Sequence, residues 1–112
     1  MCTKLQLEKL KDDIVQEYRR VYGNSIESIL LFGSYARGDQ DKDSDIDIVA
    51  IVHGNRMKLQ KQLKVIWDIS AGIGIDNDVV VSPSVIPYDE FEKYKNILPY
   101  YRNIEKEGIR IG

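Results

Sequence analysis

Residues 31–52 read LFGSYARGDQDKDSDIDIVAIV, and this stretch decides how the rest of the chain is interpreted. An apolar run ends at Gly33-Ser34, a polar loop follows, and Asp45 and Asp47 then open a second apolar run. Side chains two apart in a strand point to the same face, so the two carboxylates are expected to converge. The pattern predicts a strand, a turn with exposed backbone N–H groups, and a second strand with an acidic start.

Length and composition limit what this stretch can belong to. The chain has 112 residues, which predicts a single domain over residues 1–112 with one core and no separate substrate-binding domain. Hydrophobic residues make up 43% and charged residues 30%, values typical of a soluble globular protein. The formal net charge of −2 gives no broad basic surface, so direct binding to nucleic acid is not expected.

The N-terminus and the cysteine content indicate where the protein works. Cys2 is the only cysteine, which excludes an intramolecular disulfide framework and favours a reducing, cytoplasmic setting. The first residues, MCTKLQLEKLKDD, lack the apolar core of a signal peptide, and no apolar run approaches membrane-spanning length. A cytoplasmic protein without membrane contact is therefore expected.

The periodicity of apolar residues predicts an alternation of helices and strands. The predicted helices are Lys4 to roughly Tyr22, Met57 to about Ala71 and Tyr88–Lys95, and the predicted strands are Ser28–Phe32, Ile46–Val52 and Asp78–Ser82. Gly72, Gly74 and Asp76-Asn77 are interpreted as a turn cluster, and Pro83 as the end of the third strand. This order predicts a small α/β or α+β domain with a short mixed sheet.

The Gly33-Ser34 turn has the features of a phosphate site. Backbone N–H groups at a glycine turn that opens a helix are unpaired, and the helix dipole favours negative charge there. Ser34 adds a hydroxyl, and Arg37 can pair with a phosphate oxygen or with a nearby carboxylate. A phosphate chain is therefore expected at this turn.

Two adjacent carboxylates repel each other unless a cation lies between them. Oxygen ligands with open coordination positions suit Mg²⁺, so Asp45 and Asp47 are candidate metal ligands. If the third strand lies beside the second, Asp78 completes a triad able to hold two ions and to accept a proton from an attacking hydroxyl. Asp76 has the same strand parity and is the alternative third acid.

These residues form a longer motif with fixed spacing. Its members are Gly33, Ser34, Arg37, Gly38, Ser44, Asp45 and Asp47. The string Gly-Ser-x-x-Arg-Gly, five residues, then Ser-Asp-x-Asp resembles the nucleotidyltransferase superfamily that includes DNA polymerase β, and in particular its minimal nucleotidyltransferase subgroup. The helix and strand order from Leu5 to Ser82 is also similar to the core of that fold.

The resemblance implies a role for each matching residue. Gly33 and Ser34 would contact the nucleotide phosphates, with Arg37 and Ser44 beside them. Asp45 and Asp47 would be catalytic and would ligate the metals. Asp78 would be the third acid, a residue that is sometimes missing in this subgroup.

The resemblance also implies a partner and a reaction. The minimal subgroup is commonly encoded beside a helical ribonuclease of the HEPN class, as a toxin–antitoxin pair. The implied activity is transfer of AMP from ATP, with two Mg²⁺ ions, onto a tyrosine of the HEPN toxin, which silences it. Two alternatives stay open: an antitoxin that acts by contact alone, and a transferase that modifies a small hydroxylated molecule such as an aminoglycoside.

Overall fold

A computed structural model describes residues 3–112 and forms a mixed sheet covered by helices. The strands are β1 (Ile26–Phe32), β2 (Ile46–Val52), β3 (Val81–Pro87) and β4 (Ile109–Arg110). The helices are α1 (Lys4–Tyr22), α2 (Ser34–Arg37), α3 (Arg56–Asp76), α4 (Tyr88–Tyr94) and α5 (Pro99–Glu107). The strand order is β3-β2-β1-β4; β1 runs antiparallel to β2 and β4, and β2 runs parallel to β3. The expected fold class, a small α/β domain with a short mixed sheet, is confirmed.

The sheet has a large and a small apolar face because side chains alternate along each strand. On the first face, Ile46 and Ile48 of β2 belong to the core formed with α1 and α3. On the second face, Val49 and Ile51 pack with Phe91 of α4 and Ile104 of α5 in a smaller core. Residues 45 and 47 share the second face, so the acidic start of β2 lies beside the small core, where α4 and α5 do not cover it completely.

Helix α1 begins where the sequence predicts, at a Thr3 N-cap. The Gln6 backbone N–H donates to Thr3 Oγ1 at 3.1 Å, and the Thr3 backbone N–H donates to Gln6 Oε1 at 2.7 Å, a reciprocal capping box. The buried face of α1 carries Tyr18, whose hydroxyl donates to the Ser84 carbonyl at 2.8 Å. This bond ties α1 to β3 across the sheet and fixes the strand that borders β2.

Helix α3 is longer than its sequence predicts. The predicted end near Ala71 is wrong, since the helix continues through Gly72 and Gly74 to Asp76. Gly74 is buried against the following segment: an added Cβ would lie 2.4 Å from the Val79 carbonyl oxygen. Glycine therefore allows the chain that follows α3 to pack closely against the helix, and this contact offsets the weak helix propensity of glycine.

Gly72 and Gly74 make a matched pair for testing this interpretation. Gly72→Ala meets no atom within 4 Å and lies on an exposed helical position, so it is expected to raise the free energy of unfolding by about 0.5–1 kcal/mol. Gly74→Ala should instead lower it, because the new methyl group overlaps the Val79 carbonyl. Urea denaturation of both variants measures the difference, and equal effects of the two substitutions would contradict it.

Strand β3 begins later and ends later than predicted. The prediction Asp78–Ser82 is wrong at both ends, since β3 runs from Val81 to Pro87 and includes Pro83. Proline lacks an N–H donor and is tolerated on an edge strand, and within residues 3–112 β3 pairs only with β2. The predicted neighbour relation of the second and third strands is nevertheless confirmed.

Two further observations bear on the outer surface. The helical spacing of Trp67 with other apolar residues predicts that it belongs to the core, but 46% of it is exposed on α3, so this prediction is wrong. Among residues 3–112, no helix combines the length and the apolar character that crossing a membrane requires.

Candidate active site

The turn after β1 has the geometry of a helix start. Gly33 adopts φ 77°, a value that favours glycine, and it is the N-cap of α2. The backbone N–H groups of Ala36 and Arg37 both donate to the Gly33 carbonyl at 3.1 Å. Gly38 ends the short helix in a left-handed conformation. The turn thus presents the first N–H groups of a helix, which have no acceptor inside the helix, at the end of β1.

Because Gly33 has no side chain, this turn packs directly against β2. Phe32 pairs with Asp47 in the antiparallel ladder of β1 and β2. A Cβ added to Gly33 would lie only 2.5 Å from Asp47 Oδ2. The Asp47 carboxylate therefore occupies the space next to the Gly33 backbone, and the predicted phosphate turn and predicted metal ligand are neighbours.

Asp45 and Asp47 have different surroundings although they share one face of the chain. Asp45 is exposed and Asp47 is half-buried. The pKa of Asp47 is raised, first by burial and then by the negative charge of Asp45, while the positive charge of Arg37 opposes the rise. The two carboxylates are close enough to repel each other, as expected of a pair of metal ligands.

The raised pKa of Asp47 has a consequence for stability. In the unfolded chain this carboxyl ionises at its usual, lower pKa, so the penalty on the folded state appears as the pH rises through the raised value. The penalty is complete near neutral pH and absent at a pH below the usual aspartate pKa. Asp47→Asn should therefore raise the melting temperature near pH 7 and have little effect on it near about pH 3, below the usual aspartate pKa. Melting curves without divalent metal test this, and a variant that is less stable near pH 7 would contradict it.

Arg37 lies at the edge of the site and is bound to carboxylates. Its Nε donates to Asp39 Oδ2 at 3.2 Å, and its Nη1 donates to Glu107 Oε2 at 3.4 Å. All three side chains are exposed, so these ion pairs are weak and open to competition from an anion. The sequence allows either a phosphate oxygen or a carboxylate as the partner of Arg37. In the structure, Arg37 bonds to two carboxylates.

Ser44 closes the loop that precedes β2. Its hydroxyl oxygen accepts from the Asp41 backbone N–H at 2.9 Å and donates to Asp41 Oδ1 at 3.3 Å. These bonds hold the loop in a compact turn directly before Asp45. The predicted contact of Ser44 with phosphate stays a prediction.

The predicted triad with Asp78 depends on a strand that begins elsewhere. Asp78 lies three residues before β3 with φ 54°, and the alternative acid, Asp76, is the last residue of α3. The residue of β3 that pairs with Asp47 is Ser82. Within residues 3–112, no three His, Cys, Asp or Glu side chains are grouped to hold one ion. Asp78 therefore lies outside the strand in which it was predicted, and Ser82 is the residue that pairs with Asp47. The catalytic and metal-binding role of Asp78 stays a prediction.

Tyr100 is a residue of this site that the sequence does not identify. It lies in the first turn of α5, is 46% exposed, and its ring centroid is 5.9 Å from that of Phe32. The pKa of Tyr100 is raised by burial and by the charge of Asp47, and lowered by a hydrogen bond with the Ser84 side chain. The cluster of tyrosines in the C-terminal region is the signal that could have indicated Tyr100. It does not show which strand Tyr100 lies beside, because Tyr100 and Asp47 are more than fifty positions apart in the sequence.

A glycine turn that opens a helix, a pair of neighbouring carboxylates and a mixed sheet of this order are the features expected of nucleotidyl-transferring enzymes. The profile of the nucleotidyltransferase domain family matches residues 7–111, and the chain belongs to this family. The expected nucleotidyltransferase resemblance and enzyme class are thus confirmed.

Relatives of similar length support the family assignment. Two Methanocaldococcus jannaschii proteins are named as candidate protein adenylyltransferases. One is 31% identical over 101 residues, which are 90% of this chain and 93% of the relative. The other is 29% identical over 93 residues, which are 73% of this chain and 92% of the relative.

Solved structures share the fold. A toxin–antitoxin crystal structure with AMP-PNP superposes with a TM-score of 0.57 at 19% identity, covering 89% of this chain and 70% of that chain. A candidate nucleotidyltransferase from Sulfolobus solfataricus gives a TM-score of 0.55 at 23% identity, covering 95% of this chain and 79% of that chain. At these identities the likeness extends to the fold.

Proposed function

We propose that this chain is an antitoxin that transfers AMP from ATP onto a tyrosine of a HEPN-type ribonuclease toxin in the cytoplasm. The observation that carries the proposal is the contact between Gly33 and the Asp47 carboxylate, which joins a phosphate-binding turn to a pair of metal ligands. The names of the relatives, candidate protein adenylyltransferases, and the toxin–antitoxin neighbour with AMP-PNP support the same reaction and the same kind of partner.

In this proposal the phosphates of ATP bind at the turn after β1. The backbone at Gly33-Ser34 and the Ser34 hydroxyl supply donors at a helix start. Arg37 is exposed and can exchange its contacts with Asp39 and Glu107 for a phosphate oxygen, a stronger acceptor for a guanidinium. Ser44 holds the loop that aims Asp45 toward the same space.

The donors at the start of β2 fit Mg²⁺. They are two carboxylates on one face. The pKa of Asp47 is raised first by burial and then by the charge of Asp45, and a bound cation would favour the ionised form of both groups. Asp45 and Asp47 would hold the ion, which supplies positive charge against the phosphate chain. Asp78, which lies three residues before β3, stays the candidate third ligand for a second ion.

The chemistry is a displacement at the α-phosphorus. The tyrosine hydroxyl of the acceptor attacks in line, the bond from the α-phosphorus to the pyrophosphate oxygen breaks, and pyrophosphate leaves. A carboxylate at the start of β2 accepts the hydroxyl proton. The chain itself positions the phosphates and the proton acceptor, and the partner supplies the attacking oxygen.

The test combines the purified chain, ATP and Mg²⁺ with the HEPN protein encoded beside it. The partner tyrosine is expected to gain one or more AMP units, measured by intact mass and peptide mapping. Neutralisation of the ribonuclease without any mass increase would instead favour an antitoxin that acts by contact alone. Transfer to an aminoglycoside but not to protein would favour a small-molecule transferase.

A further inference from the structure

One tyrosine of the chain already lies where an acceptor hydroxyl is needed. Tyr100 contacts the Ser84 side chain and lies within electrostatic reach of Asp47. Its ring packs against Phe32, the residue directly before Gly33. Since Phe32 pairs with Asp47 across β1 and β2, Tyr100 lies on the face of the sheet that carries Asp47, and 46% of it remains exposed.

The other tyrosines near this region do not share that position. Tyr18, Tyr22 and Tyr35 are buried, and the hydroxyls of the first two donate to backbone carbonyls. Tyr101 follows Tyr100 in α5, but its hydroxyl bonds to Glu90 and lies 3.4 Å from Arg56 Nη2. The two neighbouring tyrosines thus point to different places, one toward the acidic pair and the other away from it.

We propose that Tyr100 is a second acceptor, to which the chain transfers AMP in its own active site. This inference rests on the proposed function, because it uses the same nucleotide and the same carboxylates. The acceptor is part of the chain, so the reaction is intramolecular and needs no partner. A tyrosine held beside the reacting phosphate has a high effective concentration, which offsets its imperfect orientation.

The proposed step is a substitution at the α-phosphorus of ATP. The Tyr100 Oη forms a bond to the α-phosphorus of ATP, the bond from that phosphorus to the bridging oxygen of pyrophosphate breaks, and pyrophosphate leaves. The phenolic proton passes to a carboxylate of the Asp45 and Asp47 pair. The product is a phosphodiester between AMP and Tyr100, with no oxidant or other co-reactant.

The modification would regulate the site that makes it. An AMP group on Tyr100 would lie over Asp47 and Ser84, where it occupies the space of the next nucleotide. A modified chain should therefore bind ATP more weakly than an unmodified one. In the absence of the toxin, the enzyme would switch itself off.

The experiment incubates the purified full chain with ATP and Mg²⁺ and maps AMP on its peptides. Tyr100 is expected to carry AMP, Tyr100→Phe to lose the label, and Tyr101→Phe to keep it as the matched control. The fraction labelled per unit time should not change with protein concentration, since the reaction is intramolecular. Label on a different residue, or a rate per chain that rises with concentration, would overturn the proposal.

A second readout does not depend on turnover. Tetranitromethane nitrates accessible tyrosines, and Mg²⁺ with AMP-PNP should protect Tyr100 while leaving the partly exposed Tyr94 as reactive as before. Unchanged nitration of Tyr100 when AMP-PNP is bound would count against the proposal. If the HEPN partner is labelled but Tyr100 is not, this inference fails and the proposed function stands. If ATP binds and neither protein is labelled, both fail.

Discussion

Replacing Asp45 and Asp47 together by Asn is expected to lower AMP transfer to the toxin at least about a hundredfold. The substitution keeps the shape of both side chains and removes the two negative charges that would hold Mg²⁺ and accept the proton. Asp45 is exposed, and the raised pKa of Asp47 means that its charge costs stability in the folded chain. The variant should therefore fold, and radiolabel transfer from ATP measures the loss directly.

The matched control is Asp43→Asn, two residues earlier in the same loop. Asp43 is exposed, and the hydrogen bond that holds its position comes from its backbone N–H to Asp41 Oδ1, which the substitution leaves intact. This variant is expected to transfer AMP at the normal rate. An equal loss in both variants would mean that the loop needs negative charge in general, and it would remove the specific role of the two residues of the acidic pair.

Gly33→Ala is expected to damage both the turn and the site. At φ 77° and ψ −155°, a region that essentially only glycine adopts, a residue with a side chain is strained by roughly 1–3 kcal/mol. In addition, the new Cβ would lie 2.5 Å from Asp47 Oδ2, so the carboxylate must move away. A large fall in transfer activity should therefore accompany a fall in the free energy of unfolding, both measured on the same preparation.

Gly38→Ala separates the two causes. Gly38 has a similar φ of 81°, but an added Cβ meets no atom within 4 Å. With ψ 13° Gly38 lies in the left-handed helical region, so this variant should lose roughly 1–2 kcal/mol from backbone strain and keep its transfer activity. If Gly38→Ala lost activity as completely as Gly33→Ala, the contact with Asp47 would not explain the effect.

Much of the fold could be predicted because its signals are local. Strand β2 has the bounds that its apolar run predicts, and α1 begins at its predicted cap. The errors concern residues whose role depends on distant neighbours. Gly74 stays helical because it packs against Val79, and Pro83 stays in a strand because β3 has a free edge. Neither fact can be determined from the residues next to them.

The residues of the candidate site also fall into two groups, those predictable from local sequence and those that depend on distant segments. The turn at Gly33 and the acidic pair lie on adjacent strands joined by one loop, so their proximity follows from the hairpin. The predicted position of Asp78 in the third strand depended on where that strand begins, and β3 begins three residues later, with Ser82 paired to Asp47. Tyr100 comes from a helix near the other end of the chain, and no periodicity in the sequence indicates which strand it covers.

The central claim is that the carboxylates at the start of β2 support transfer of AMP rather than of phosphate. It is tested most directly by two parallel reactions with the HEPN partner and Mg²⁺, one with ATP labelled at the α-phosphorus and one with ATP labelled at the γ-phosphorus. Label from the α-position is expected to become attached to a partner tyrosine, and label from the γ-position is expected to leave in pyrophosphate. Label from the γ-position on the partner, or no label from either, would contradict it.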